Sequence, residues 1–220
     1  MLGLAQFWAR TVLRGARVIC GIHVKVTGLE RLPPGPALIA SQHQSAFDTL
    51  IWAVLLPRVS YVYKAELERI PLFGPMLAAS GQIAIDRAAS IATVRKLLRA
   101  TQRAKAEQRQ IVIFPEGTRV AIGGDVEIRG GFTLIAARTG LPIHPAATDS
   151  GRFWARRSFL KRPGCVRIHI GEPIRPDLPP AELITTLKAR WQDAALAQST
   201  VDKSVDQASG GLSKHDVTAL

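Results

Sequence analysis

The chain has 220 residues, of which 47% are hydrophobic and 21% charged, so its composition is that of a globular protein and excludes a largely disordered chain. Its 29 Lys and Arg against 17 Asp and Glu give a net charge of +12, which indicates an anionic partner: nucleic acid, an anionic membrane surface or a phosphorylated substrate. Cys20 and Cys165 lie far apart without a CxxC pattern, which argues against a disulfide framework or a structural zinc site and fits a reducing compartment.

Residues 1–22 are predicted to form an amphipathic helix. Arg10, Arg14 and Arg17 share one narrow stripe of it, and apolar residues around Trp8 cover most of the remaining circumference. Because the arginines interrupt the apolar stretch, it predicts neither a transmembrane span nor a secretory signal. Such a helix can bury its apolar surface against its own domain or at the boundary of a bilayer, where arginines reach lipid phosphates. The sequence favours the bilayer, and so a peripheral position on a membrane.

Strands and helices alternate after this helix. Strands are predicted at 22–27, 37–40, 59–63, 83–85, 111–114, 143–147 and 166–170, and helices at 49–56, 91–108, 132–138 and 181–197. This order indicates an α/β domain over residues 23–198, with a central, largely parallel or mixed sheet flanked by helices. Residues 199–220 are polar and are predicted to form a disordered tail. Polar residues concentrate just after several of the strands, where the ligand crevice of an open α/β sheet lies.

The first of these polar segments carries His43 and Asp48 at a predicted loop-to-helix junction. A carboxylate beside a histidine fixes its tautomer and stabilises the imidazolium, so the pair would act as a general base. No protein nucleophile is needed, because a substrate hydroxyl deprotonated by His43 can itself attack an acyl group. The alternative is that Asp48 only caps the helix and His43 is a polar loop residue.

A second polar segment, FPEGTR at residues 114–119, follows the strand predicted at 111–114. A proline ends the strand, and Gly117 lets the backbone approach a ligand while Glu116 and Arg119 project from the same turn. Arg119 and Arg87, which follows another strand, would form a bidentate clamp for a phosphate. The alternative is a structural turn with a surface ion pair.

These segments resemble the motifs of the 1-acylglycerol-3-phosphate acyltransferase family of glycerophospholipid synthesis. Four motifs occur in family order: QHQSAFD at 42–48, similar to NHxxxxD; GQIAIDR at 81–87, similar to GxxFIDR; FPEGTR at 114–119, a full match; and LPIHPAA at 141–147, similar to a proline-containing apolar motif. The resemblance covers residues 27–173. Four positions depart from the family pattern: Gln42 replaces the usual Asn, Ala84 stands where Phe is typical, Arg129 stands where a lysine is common before the glycine, and His144 occupies a usually aliphatic place.

The resemblance implies acyl transfer from acyl-CoA or acyl carrier protein to the sn-2 hydroxyl of 1-acylglycerol-3-phosphate, which gives phosphatidic acid, with no cofactor and no metal. It implies that His43 is the general base and that Asp48 orients it. It also implies that the phosphate and glycerol end of the acceptor is bound by Arg87, Glu116, Gly117, Thr118 and Arg119. Because Ala84 widens the neighbourhood of the acceptor, another lyso-lipid, such as an amino-acid-containing one, is the alternative acceptor.

Residues 152–162 interleave aromatic side chains such as Phe153 and Trp154 with five basic residues. This composition suits the headgroup layer of a membrane, and a solvated basic loop packed by its aromatics is the alternative. With the first helix, the loop predicts an anionic membrane surface as a partner and a peripheral location on the cytoplasmic face. The charge alone would also allow a nucleic-acid-binding module, but no recognition-helix or stacking-sheet pattern is present and the motifs would stay unexplained.

Overall fold

A computed structural model of the protein describes residues 2–69, 80–85 and 91–207. Within them, seven strands form one sheet: β1 (Ile22–Thr27), β2 (Ala37–Ser41), β3 (Val59–Lys64), β4 (Ile83–Ile85), β5 (Gln110–Ile113), β6 (Ile143–Thr148) and β7 (Gly164–Ile170). The helices are α1 (Leu2–Cys20), α2 (Ala46–Leu55), α3 (Ile91–Ala106), α4 (Gly130–Thr139) and α5 (Pro180–Gln207), and a short 3-10 turn spans Ser150–Arg152.

The strand order is β1-β7-β6-β2-β5-β3-β4, and every neighbouring pair is parallel except β6 and β7. The predicted α/β fold with a largely parallel or mixed sheet is therefore confirmed. Because β2 pairs with β5 on one side and with β6 on the other, all in parallel, the carboxyl ends of these three strands meet. We call this side of the sheet the site edge.

Both faces of the sheet are covered by helices. All five residues of β2 are buried, which is the continuous apolar pattern of a central parallel strand. Leu38 packs with α3, α4 and α5 in one core layer, whereas Ile39 packs with α1 and α2 in the other. Side chains that alternate along the strand thus pack into two core layers, one on each face of the sheet, and this fixes the register of the sheet.

Helix α1 has two apolar faces. One packs against α2 through the buried side chains of Ala9, Leu13 and Ala16. The opposite face leaves large apolar side chains exposed, including Phe7 at 67% and Trp8 at 60%. Packing on the domain therefore accounts for only part of the apolar surface that the sequence predicted to be buried. No helix in the described part of the chain is both long and apolar enough to cross a membrane.

Helix α5 extends past the predicted end of the domain. It continues to Gln207 rather than ending near residue 197, so residues 199–207 are helical where the sequence predicted disorder. The physical reason is that no Gly or Pro interrupts the chain between Ala181 and Gln207, and the many polar residues there do not prevent a helix. Residues 208–220 of the predicted tail lie outside the described residues.

Candidate active site

Three loops meet at the site edge. One follows β2 and carries His43, the second follows β5 and carries Glu116, and the third follows β6 and carries Ser150. The register places Ala40 opposite Ile113, and Ser41 opposite Ala146, so the three loops leave the sheet side by side. Segments far apart in sequence therefore form one site because their strands are parallel neighbours.

Asp48 caps the N-terminus of helix α2 and also faces His43. Ser45 is the N-cap of α2, and its hydroxyl accepts a hydrogen bond from Phe47 N at 3.1 Å. In return, the Asp48 carboxylate accepts hydrogen bonds at Oδ2 from Ser45 N at 2.8 Å and Gln44 N at 2.7 Å, which completes a capping box. The same oxygen lies 3.3 Å from His43 Nδ1. Asp48 thus caps the helix and also lies next to the histidine.

Three contacts hold His43, two through its imidazole and one through its backbone. Its ring stacks on the Phe114 ring with centroids 4.1 Å apart and an interplanar angle of 21°. Its Nδ1 faces Asp48, and its backbone carbonyl accepts a hydrogen bond from Val120 N at 2.8 Å. The His43 side chain is 17% exposed. Since Nδ1 is assigned as the donor to the carboxylate from this geometry, Nε2 is the nitrogen that can accept a proton.

Glu116 lies beneath the His43 loop. Its side chain is 3% exposed, and its Oε1 accepts a hydrogen bond from His43 N at 2.9 Å. Its Oε2 is buried and has no hydrogen-bond partner among the described residues. Burial raises the pKa of Glu116 to about 7; the Asp48 charge adds to this rise, and the hydrogen bond from His43 N opposes it. The structure therefore places this carboxyl where it anchors the histidine backbone.

The rest of the FPEGTR turn lies at the surface of the site. Gly117 has a φ of 64°, and its N donates a hydrogen bond to Phe114 O at 2.9 Å, so a left-handed residue closes the turn. Thr118 is exposed and Arg119 is partly buried. The Arg119 carbonyl accepts a hydrogen bond from Arg156 Nη1 at 3.1 Å, which joins the turn to the loop after β6.

Arg87 lies outside the described residues. Ile85 ends β4 opposite Lys64 of β3, at the same side of the sheet as the other loops. Of the predicted site residues, the structure thus brings together His43, Asp48 and the FPEGTR turn. Among the described residues, no group of three His, Cys, Asp or Glu side chains is arranged to hold a metal ion.

The loop after β6 contributes contacts that the sequence did not predict. The end of β6 and this loop donate three hydrogen bonds to the segment from Gln42 to Asp48: Thr148 N to Gln42 Oε1 at 3.1 Å, Gly151 N to Gln44 Oε1 at 3.1 Å and Ser150 Oγ to Asp48 Oδ1 at 2.5 Å. No spacing rule could have found the last pair, because 102 residues separate its members. The ring contact of Phe114 was also missed, although the residue lies in a motif that the sequence singled out.

Comparisons with known proteins identify a family model, two sequences and a solved structure that are similar to this chain. A model of the Acyltransferase family matches residues 23–149. The 1-acyl-sn-glycerol-3-phosphate acyltransferase of Pseudomonas aeruginosa is 32% identical over 89% of this chain and 77% of its own length. That of Helicobacter pylori is 34% identical over 60% of this chain and 58% of its own length.

A solved structure with a similar fold is a further match. The crystal structure of the 1-acyl-sn-glycerophosphate (LPA) acyltransferase PlsC from Thermotoga maritima matches 97% of this chain and 81% of its own chain, with a TM-score of 0.65 and 21% identity. At this identity the likeness supports the architecture of the sheet and its helices.

Proposed function

Because the chain belongs to the acyltransferase family, we propose that it transfers a fatty acyl group from acyl-CoA or acyl carrier protein to the sn-2 hydroxyl of 1-acylglycerol-3-phosphate, giving phosphatidic acid. The observation that carries the proposal is the contact of His43 Nδ1 with Asp48 in a loop that is hydrogen-bonded to the FPEGTR turn. The names of the relatives from Pseudomonas aeruginosa and Helicobacter pylori support this acceptor.

In this mechanism His43 is a general base. Its Nε2 takes the proton of the sn-2 hydroxyl as the hydroxyl oxygen attacks the thioester carbonyl of the donor. Asp48 stabilises the imidazolium that forms. When the tetrahedral intermediate collapses, the carbon–sulfur bond breaks, and the imidazolium returns its proton to the leaving thiolate. Holding both substrates at the site edge would supply much of the rate. No cofactor takes part, since the acyl donor is a substrate.

The FPEGTR turn would bind the polar end of the acceptor. Arg119 leaves this turn beside the His43 loop, and its guanidinium would bind the acceptor phosphate together with Arg87. Gly117, in its left-handed conformation, keeps a side chain away from the place where the glycerol would approach. Thr118 is exposed in the same turn and would contact the glycerol end.

We further propose that the protein lies on an anionic bilayer with the site edge toward the lipid, as a peripheral protein of the cytoplasmic face. Strand β7 is antiparallel to β6 and therefore begins at the site edge, where Gly164 N donates a hydrogen bond to Gly21 O at 3.0 Å. This contact places the end of α1 next to the loop over residues 152–162.

Both segments expose apolar side chains close to basic ones. Val18 and Ile19 are each 83% exposed at the end of α1, and Phe159 is fully exposed in the loop. Arg14 and Arg17 of α1 and Arg156, Arg157 and Arg162 of the loop are also exposed. Peripheral proteins bind anionic lipid through this combination: the apolar side chains enter the membrane interface, and the neighbouring cations contact lipid phosphates.

The experiment is an acyl-transfer assay with purified protein in mixed micelles. It offers 1-acylglycerol-3-phosphate, lyso-lipids with other headgroups and an amino-acid-containing lyso-lipid, each with acyl-CoA and with acyl carrier protein as the donor. We expect product with 1-acylglycerol-3-phosphate, and loss of that product in His43→Ala but not in His23→Ala, which removes an exposed histidine on β1. An active His43→Ala variant would contradict the mechanism, and preference for another acceptor would contradict the substrate.

A further inference from the structure

The loop after β6 places a buried hydroxyl on the carboxylate that faces His43. Ser150 has no exposed surface, and its Oγ donates a hydrogen bond to Asp48 Oδ1 at 2.5 Å. The other carboxylate oxygen, Oδ2, accepts the two backbone hydrogen bonds of the capping box and faces His43 Nδ1. Ser150 therefore donates to Oδ1, the carboxylate oxygen that takes no part in the capping box.

Ser150 is itself held firmly in its turn. Its N donates a hydrogen bond to Thr148 Oγ1 at 3.1 Å, and its carbonyl accepts hydrogen bonds from Phe153 N at 3.1 Å and Trp154 N at 2.9 Å. The Trp154 ring packs against Phe47 of α2, with ring centroids 6.3 Å apart. Because these contacts fix the Ser150 backbone, its hydroxyl is held in place and can fix the orientation of the Asp48 carboxylate.

Holding both oxygens of a carboxylate fixes the plane of the group. Asp48 is 1% exposed, so water is not available to replace a lost donor on Oδ1. The contact of Oδ2 with His43 Nδ1, at 3.3 Å, is long for a hydrogen bond to a charged group and depends on the orientation of that plane.

We propose that Ser150 is a positioning residue of the acyl-transfer reaction: its hydroxyl sets the orientation of Asp48, and Asp48 in turn holds the His43 imidazole. This inference rests on the proposed function. It adds a third member, from a different strand, to the pair that the motif at residues 42–48 contains, and it gives the loop after β6 a part in the chemistry.

The test is Ser150→Ala with Ser60→Ala as the matched control. Ser60 is also fully buried, and its hydroxyl also donates one hydrogen bond, to Gly81 O at 2.8 Å, but it lies on β3. Both variants lose a buried hydroxyl, and we expect the larger fall in thermal stability in Ser150→Ala, because it removes a donor from a charged oxygen rather than from a carbonyl. We expect kcat to fall roughly ten- to a hundredfold in Ser150→Ala only, with the KM of both substrates unchanged.

A pH profile separates positioning from a merely structural role. A carboxylate that loses a hydroxyl donor is protonated more easily, and while ionised it stabilises a neighbouring imidazolium more strongly. Either change makes the active combination of neutral His43 and ionised Asp48 harder to reach in acid. We therefore expect the acid limb of kcat/KM to move to higher pH in Ser150→Ala but not in Ser60→Ala. Because Glu116 also titrates beside Asp48, the comparison is repeated in the Glu116→Gln background.

Ser150→Cys serves as a second variant if the alanine variant does not fold. A thiol of similar size is a weak donor, so we expect a kcat between those of the serine and alanine proteins. If Ser150→Ala, or Ser150→Cys where the alanine variant fails to fold, keeps the kcat and acid limb of the wild type, the inference is wrong while the proposed function stands. If the wild-type protein transfers no acyl group to any acceptor, the proposed function fails, and the inference fails with it.

Discussion

The carboxyl of Glu116 should make the stability of the protein depend on pH. Burial raises its pKa from 4.5 to about 7 in the folded state. Between these two values the folded protein binds more protons than the unfolded chain, so the free energy of unfolding falls as pH rises. The stabilisation is fully present below about pH 4.5 and is lost as pH rises through about 7. At about 1.4 kcal/mol per pKa unit, the difference amounts to about 3 kcal/mol.

The substitution Glu116→Gln isolates this effect, because glutamine is uncharged at every pH and keeps an oxygen that can accept the hydrogen bond from His43 N. Urea unfolding of both proteins between about pH 4 and pH 9 gives the difference in their free energies of unfolding. We expect the glutamine variant to gain about 3 kcal/mol relative to the wild type across this range. The exposed Glu66→Gln is the control for the chemical change alone. A difference that stays constant with pH would refute the reasoning.

The same variant decides what Glu116 does in catalysis. If the carboxyl anchors the His43 backbone, Glu116→Gln keeps most of the wild-type kcat and acceptor KM, because the anchoring oxygen is retained. Glu116→Ala should then lose activity, since His43 N loses its acceptor. A Glu116→Gln variant with a strongly raised acceptor KM would instead mean that the carboxyl binds the substrate, as the sequence resemblance implies.

Two other parts of the structure make separate predictions. Phe114→Ala removes the ring that stacks on His43. Because such an aromatic contact is worth about 0.5–1.5 kcal/mol, we expect kcat to fall by roughly 3- to 10-fold. An unchanged kcat would show that the stacking does not orient the imidazole. In helix α1, Leu13→Ala should lower the free energy of unfolding by about 2–5 kcal/mol, because Leu13 is buried against α2; a loss below about 1 kcal/mol would contradict that packing. On the opposite face, the double substitution Phe7→Ser and Trp8→Ser should leave the melting temperature unchanged and weaken flotation with anionic liposomes. Undiminished flotation would contradict the proposal that this face binds the membrane.

The strands were predictable from the sequence because their signals are local. Ile22–Thr27 and Ile83–Ile85 have the same bounds in the prediction and in the structure, since apolar patterns bounded by Gly or by polar residues define them. The pairing of β7 was not predictable, because Val166–Ile170 would look the same beside a parallel or an antiparallel neighbour. The contact of Ser150 with Asp48 depends on the pairing of β6 with β2, which is equally non-local, so no sequence pattern near either residue predicts it.

The start of helix α2 explains why the histidine and the carboxylate occur at this spacing. The start of a helix leaves backbone N–H groups without partners. Asp48 accepts a hydrogen bond from the N–H of the N-cap Ser45 and another from Gln44, the residue before it. These bonds pull the chain into a tight loop, and the loop brings His43 Nδ1 to the same oxygen. The interactions that begin the helix are therefore the ones that place the base. Replacing Asp48 would remove the cap and the partner of the histidine together, so its effects on stability and on rate cannot be separated by one substitution. Ser150 reaches the same carboxylate from outside the capping box, and for that reason it is the position from which the orientation of Asp48 can be changed while the helix still begins at Ala46.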